Sequence, residues 1–130
     1  MALKQAYLIV DIGTGNARVA VCAFDGEILS IKRENVHYET DSNYEDSIFF
    51  NPEELWGQII KLSKEALAES GEIQINAITA TSQREGIVIT DKDGDSLLGM
   101  PNIDHRGRKW EPCLKDKDLV YNLSGRYPTS

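Results

Sequence analysis

The sequence predicts an α/β domain in which three antiparallel strands and a crossover helix lead to a strand lying parallel to the first. Three observations carry this reading. Residues 5 to 35 hold three short strand-forming runs separated by tight turn signals. One long amphipathic segment follows, opening on a capping signature, and after it comes a second apolar run, INAITATS. Parallel neighbours need a crossover of roughly a dozen residues or more, usually a helix, and the amphipathic segment supplies it.

Ala6 to Ile12 is apolar almost throughout and partly β-branched, the pattern of a strand buried on both faces. Ala17 to Phe24 makes the second strand, with Val19, Val21 and Ala23 on one face. Asp25-Gly26 is a hairpin turn of the kind that tolerates positive φ. Glu27 to Asn35 follows as the third strand, with Ile28 and Ile31 among polar partners. Residues 37 to 46 are polar and acidic and read as a surface loop.

The helix signal lies in FFNPEELWGQIIKLSKEALAESGE. Asn51 is placed to cap the amide of Glu54 while the Glu54 side chain reaches back, and Pro52 has its φ already set for the first helical position. Phe50 and Leu55 occupy the positions of a hydrophobic staple. Leu55, Trp56, Ile59, Ile60, Ser63, Ala66 and Leu67 form one stripe, so Trp56 is expected as a core anchor, and Gly71 is the stop. Ile75 to Ser82 is then a short buried strand and Gly86 to Thr90 another, closed by the turn Asp91-Lys92-Asp93-Gly94. Leu97 to Met100 is a further short strand. Lys115 to Leu123 reads as a short helix with Leu119, Val120 and Leu123 facing in. This order matches the core of the ribonuclease-H-like fold shared by actin-like ATPases and sugar kinases.

Bulk properties narrow the function. The 130 residues suit one domain with a modest core. A net charge of -7 argues against nucleic acid, whose phosphates call for clustered Lys and Arg. The basic run Arg106-Gly107-Arg108-Lys109 reads as a solvated surface turn. Cys22 is a small buried hydrophobe and Cys113 a bystander, with no CxxC spacing for a metal. No run is long enough for a signal peptide or a membrane span, so a reduced, cytoplasmic protein without membrane association is expected.

Three clusters could carry chemistry. In DIGTGNAR, Gly13 and Gly15 allow close main-chain approach, so backbone N–H groups can face phosphate oxygens. Thr14 and Asn16 add donors, Arg18 adds positive charge, and Asp11 at a strand end can hold Mg²⁺ directly or through water. The spacing fits neither GxxxxGK nor a GxGxxG that opens a helix, and on these residues alone a plain β-hairpin explains the stretch equally well. In SQREG, Arg84 and Glu85 stand at the carboxyl end of a buried strand and could bracket a polyol, or form an exposed ion pair. In PNIDHRG, Asp104 could accept from a substrate hydroxyl with Arg106 orienting it, while His105 is a candidate acid–base group or a loop residue. The acids of the Asp91–Gly94 turn lack the later ligands of a calcium loop, and no nucleophilic triad is present.

Together these residues resemble the FGGY family of carbohydrate kinases, in order and over nearly all of the chain. DIGTGNARVAVCAFDGEIL is similar to the family's opening phosphate hairpin, NPEELW to its first-helix start, and ITATSQREGIVITDKDG to its first substrate-contacting segment. PNIDHRG falls where a further substrate-facing stretch stands, and GTGN-AR, SQREGIV and NIDHRG are most similar to the autoinducer-2 kinase branch, with glycerol kinase-like features. Many members carry a second Thr or Ser where Gly15 stands here.

The resemblance implies ATP-dependent, Mg²⁺-assisted phosphorylation of a sugar or polyol hydroxyl. Asp11 falls on the metal-organising position, Thr14 and Arg18 on the phosphate side, Arg84 and Glu85 on polyol-holding positions, and Asp104 on the second substrate-facing stretch. Family members run to several hundred residues in two actin-like domains, with their general-base aspartate well beyond the position of Ser130. The chain is therefore expected to be the N-terminal part of the first domain, with the rest of its polypeptide as partner, no catalytic base and no turnover of its own. Such a part would expose apolar surface and self-associate. Another actin-like phosphotransferase and a non-catalytic sugar-sensing module are the alternatives on the same fold.

Overall fold

The computed structural model describes residues 3–128. Strands β1 (Lys4–Ile12), β2 (Asn16–Ala23) and β3 (Ile28–Asn35) are followed by helix α1 (Pro52–Glu69) and strand β4 (Ile73–Ser82). A hairpin of β5 (Ile87–Thr90) and β6 (Ser96–Met100), a 3₁₀ segment Arg106–Cys113 and helix α2 (Lys117–Ser124) complete the chain. The main sheet runs β3-β2-β1-β4, antiparallel across β1/β2 and β2/β3 and parallel across β1/β4. The expected mixed sheet is present, and residues 17 to 23 are strand, not helix.

Local chemistry explains the elements. Gly26 takes φ +92° in the β2–β3 turn, where Asp25 Oδ1 accepts from the Glu27 amide at 3.0 Å. The Asn51 side chain accepts from the amides of Glu53 and Glu54, with Pro52 opening α1. The Glu54 carboxylate does not reach back to complete a capping box; it lies 3.4 Å from His37 Nδ1. In the Asp91–Gly94 turn, Asp91 Oδ1 accepts from the amides of Asp93 and Asp95, both at 2.9 Å, so the carboxylate holds the turn itself.

The core lies on one side of the sheet. Ala6, Leu8 and Val10 of β1 and Ala17, Val19, Val21 and Ala23 of β2 are buried with Ile59, Leu62 and Ala66 of α1, joined by Val36 and Phe50. Phe50 exchanges both main-chain hydrogen bonds with Gly99, at 2.9 and 3.2 Å, which pins the β5–β6 hairpin to the start of α1. A Cβ on Gly99 would come within 2.3 Å of the Phe50 ring, so only glycine allows this contact.

Several expectations change for one reason: α1 packs on β2 and β3, and one helix cannot cover four strands. Strand β1 is buried on a single face; Tyr7 on the other is exposed and stacks on Phe24 at 4.6 Å. Strand β4, apolar enough to read as buried, is an exposed edge. Its Ile78 pairs with buried Leu8, yet is 69% exposed because α1 does not reach it. Cys22 is half-buried on the uncovered face. The helical stripe is rotated from the expected one: Leu62 is fully buried, whereas Ile60 is exposed and Trp56 is 59% exposed. Trp56 lines an apolar cleft of about 260 Å³ between α1 and β5, and is not a core anchor. Leu119 and Leu123 of α2 are exposed, and the basic run is not uniformly solvated because Arg106 turns inward. Among the described residues no helix is long and apolar enough to cross a membrane.

Two ion-pair groups tie α1 to β3. Lys61 donates to Glu34 Oε1, and Gln58 Nε2 bridges Glu34 Oε2 at 3.1 Å and the Asn35 carbonyl at 2.9 Å. At the other end of the helix, Lys32 lies 2.8 Å from Glu69, which also accepts from Ser30. The Lys61 hydrogen bond and then that of Gln58 hold the Glu34 carboxyl below its usual value of 4.5. Lys32 and then Ser30 do the same for Glu69.

Two measurements test this packing. Leu62→Ala should cost about 2–5 kcal/mol in chemical denaturation, whereas Trp56→Ala should cost about 1 kcal/mol or less. A carboxylate whose pKa is depressed on folding contributes stability above its unfolded pKa and loses it as pH falls through the folded one. The urea midpoint should therefore drop as pH falls below 4.5, and Glu34→Gln should flatten that drop; an unchanged pH slope would contradict the assignment.

Candidate functional site

Parallel pairing of β1 with β4 sets Asp11 beside Thr81 and Ile12 beside Ser82. The chain leaves both strands on the same edge, and the Gln83 amide donates to the Ile12 carbonyl at 2.7 Å. The DIGTGN turn and the SQRE turn are therefore neighbours at the carboxyl ends of parallel strands, where α/β sheets bind ligands.

The DIGTGN turn joins two antiparallel strands and closes with the Gly13 amide donating to the Asn16 carbonyl at 2.9 Å. Neither Gly13 nor Gly15 is among the residues of positive φ, so backbone conformation does not demand glycine there. Nor does space within the chain demand it: a Cβ on Gly15 would meet nothing within 4 Å, and one on Gly13 would make only ordinary contacts at 3.4 and 3.6 Å, so the bare main chain there faces open volume. The Gly15 carbonyl accepts from Val36 at 3.1 Å.

Asp11 and Arg18 are direct cross-strand partners, and Arg18 Nη2 lies 2.8 Å from Asp11 Oδ2. The two charges expected to serve metal and phosphate thus meet each other first. Asp11 is the sort of oxygen ligand that Mg²⁺ takes, and Mg²⁺ is commonly held by one or two carboxylates with waters and substrate phosphates. No group of three potential metal ligands occurs among the described residues.

On the other side of the site, Arg84 is exposed and has no polar partner among the described residues. Glu85 is exposed, adopts φ +65° and pairs with Arg126 rather than with Arg84. A non-glycine residue in the left-handed region costs about 1 kcal/mol or more and is enriched at ligand-holding turns. Asp104 is differently placed. Both its oxygens receive Arg106 Nε, at 3.0 and 2.7 Å, and Oδ1 also receives the Arg106 amide at 3.0 Å. Its side chain is 5% exposed and that of Arg106 is 19% exposed, with the guanidinium about 6 Å from the ring centres of Tyr44 and Phe49. Arg106 Nη2 and His105 Nδ1 are buried without a partner.

Three residues outside the expected set join the site. Thr14 Oγ1 donates to Asn102 Oδ1 at 2.8 Å, the Asn102 amide donates to Gln83 Oε1 at 2.9 Å, and the Tyr38 hydroxyl donates to the Thr14 carbonyl at 2.6 Å. Burial pushes the Tyr38 hydroxyl pKa up, opposed by a hydrogen bond from Gln83. Gln83 and Asn102 stand inside quoted motifs, so their polar side chains were visible there. Tyr38 lies in a stretch that reads as solvent-facing loop, and no spacing signals its return to the hairpin.

A sheet of this order, with its glycine turn joining two strands, belongs to the ribonuclease-H-like, actin-like class. The family model described as "FGGY family of carbohydrate kinases, N-terminal domain" matches residues 6–122, and the chain belongs to that family. YoaC of Bacillus subtilis (strain 168), a sugar kinase by name, is 48% identical over the whole chain, which covers 27% of YoaC. Autoinducer-2 kinase of Enterobacter sp. (strain 638) is 27% identical over 94% of the chain and 25% of its own length. The crystal structure of xylulose kinase from Rhodospirillum rubrum superposes with a TM-score of 0.77 at 16% identity, over 88% of this chain and 24% of that one, a likeness of fold. The chain thus spans about a quarter of the length of these relatives.

The burial of Asp104 makes its role testable. Asp104→Asn should destabilise the protein by on the order of 3 kcal/mol, because it strands a buried guanidinium. A variant of unchanged melting temperature and raised sugar KM would instead make Asp104 a direct sugar ligand.

Proposed function

We propose that this chain is the N-terminal part of a cytoplasmic carbohydrate kinase that transfers the terminal phosphoryl group of ATP to a sugar or polyol hydroxyl. The observation that carries the reading is the adjacency of a bare-backbone glycine hairpin and the Arg84–Glu85 turn, held by the Gln83 to Ile12 hydrogen bond, in a chain of the FGGY family. Phosphoryl transfer demands little covalent chemistry of a protein; it demands positioning and charge compensation from both sides of the donor and acceptor.

In this reading the main chain of Gly13 to Asn16 lies against the terminal phosphates, and Arg18 shifts from Asp11 toward them. Asp11, released, helps hold Mg²⁺, which when bound offsets phosphate charge. The Arg84 guanidinium donates to one sugar hydroxyl while the Glu85 carboxylate accepts from the next. Asp104 supports this edge by holding Arg106 and the 101–107 stretch. The general base and the opposing wall of the cleft belong to the remainder of the polypeptide. The uncovered apolar residues of β4 and of the outer sheet face fit that arrangement, since a lone N-terminal quarter exposes surface and would associate with copies of itself.

The test is sugar-dependent ADP release by the full-length protein over a panel of sugars and polyols. Arg84→Ala should raise the sugar KM by about tenfold or more, the worth of a charge-assisted hydrogen bond. Asp11→Ala should act mainly on kcat, by roughly 10–100-fold. Sugar binding without ADP release in the full-length protein would favour a sensing module on the same fold.

A further inference from the structure

Four residues form a hydrogen-bonded chain at the junction of the two turns. The Tyr38 hydroxyl donates to the Thr14 main-chain carbonyl, the Thr14 hydroxyl to the Asn102 side chain, and the Asn102 main-chain N–H to the Gln83 side chain. Each member comes from a different segment: the hairpin, the loop after β3, the turn after β4 and the stretch after β6. Gln83 is anchored by its main-chain N–H to Ile12, and its side chain lies over Gly86, where a Cβ would come within 3.2 Å of Cγ.

The bond to Asn102 redefines Thr14. A hydroxyl has one proton, and that of Thr14 points at Asn102. It is therefore not offered to a phosphate as a donor in this arrangement. The same bond makes the hairpin tip mechanically continuous with Gln83, the residue that immediately precedes Arg84.

We propose that Asn102 and Gln83 are positioning residues that lock the hairpin tip to the Arg84–Glu85 turn, so that donor phosphate and acceptor hydroxyl are held in one register, with Thr14 serving the lock through its hydroxyl. This rests on the kinase reading above. The physical basis is that transfer between two bound groups is sensitive to displacements on the order of 1 Å, which can cost about 10²-fold in rate. A chain of three hydrogen bonds across four segments restrains that freedom at the junction.

A double-mutant cycle on the full-length protein tests it. Thr14→Val and Asn102→Leu, each close in shape to the residue replaced, remove the same hydrogen bond from its two ends. Each should lower kcat on the order of tenfold with a smaller change in either KM, and the double variant should be no worse than the poorer single one. Asn102→Asp keeps an acceptor for Thr14 and should recover most of the loss, a rescue that separates positioning from misfolding. Multiplying effects in the double variant, or single variants with wild-type kcat, would overturn the lock while leaving the kinase reading intact. Wild-type full-length protein that releases no ADP with any sugar or polyol would overturn both.

Discussion

The site depends on one pairing: the nine-residue strand β1 lies parallel to β4, which the chain reaches only after a full crossover helix. Parallel strands cannot be joined by a short turn, so the helix is obligatory, and its apolar face gives the sheet its core. The pairing also decides where both strands end. Because side chains alternate, a slip of one residue would turn the buried row of β1 outward and part Ile12 from Gln83. A constraint paid in core packing thus sets the distance between the two functional turns.

Charge at the site is arranged with the same economy. Asp11 and Arg18 neutralise each other across β1 and β2, at a place where an isolated carboxylate beneath bare main chain would repel an incoming phosphate. In the proposed reading a phosphate would compete for the guanidinium and a cation for the carboxylate, so exchange of partners would replace the creation of new charge. Asp104 and Arg106 differ in kind: their burial makes the pair costly to open, and it acts as a structural clamp under Tyr44 and Phe49. Sequence spacing presents both acids as ligands; burial separates them.

The half-covered sheet is equally informative. Tyr7 and Ile78 are exposed on β1 and β4, strands rich in apolar residues, and Phe24 and Ile31 are exposed as well. Their burial requires elements beyond α1, which already occupies β2 and β3. The relatives, about four times longer, have chain enough to supply them.

The sequence by itself determined the strand order, the span of α1, its Asn51 cap and the hairpin nature of DIGTGN. These depend on local chemistry: turn residues, apolar periodicity and a capping side chain act over a few positions. The position of Arg84 and Glu85 just past the carboxyl end of β4 was legible for the same reason. Tertiary structure alone decided which apolar strands are covered, why Leu62 and not Trp56 is interior, that Arg106 closes on Asp104, and that Tyr38, Gln83 and Asn102 meet at Thr14. Each of those is a contact between segments distant in the chain, and periodicity records that a residue prefers an interior without recording which neighbour arrives to make one.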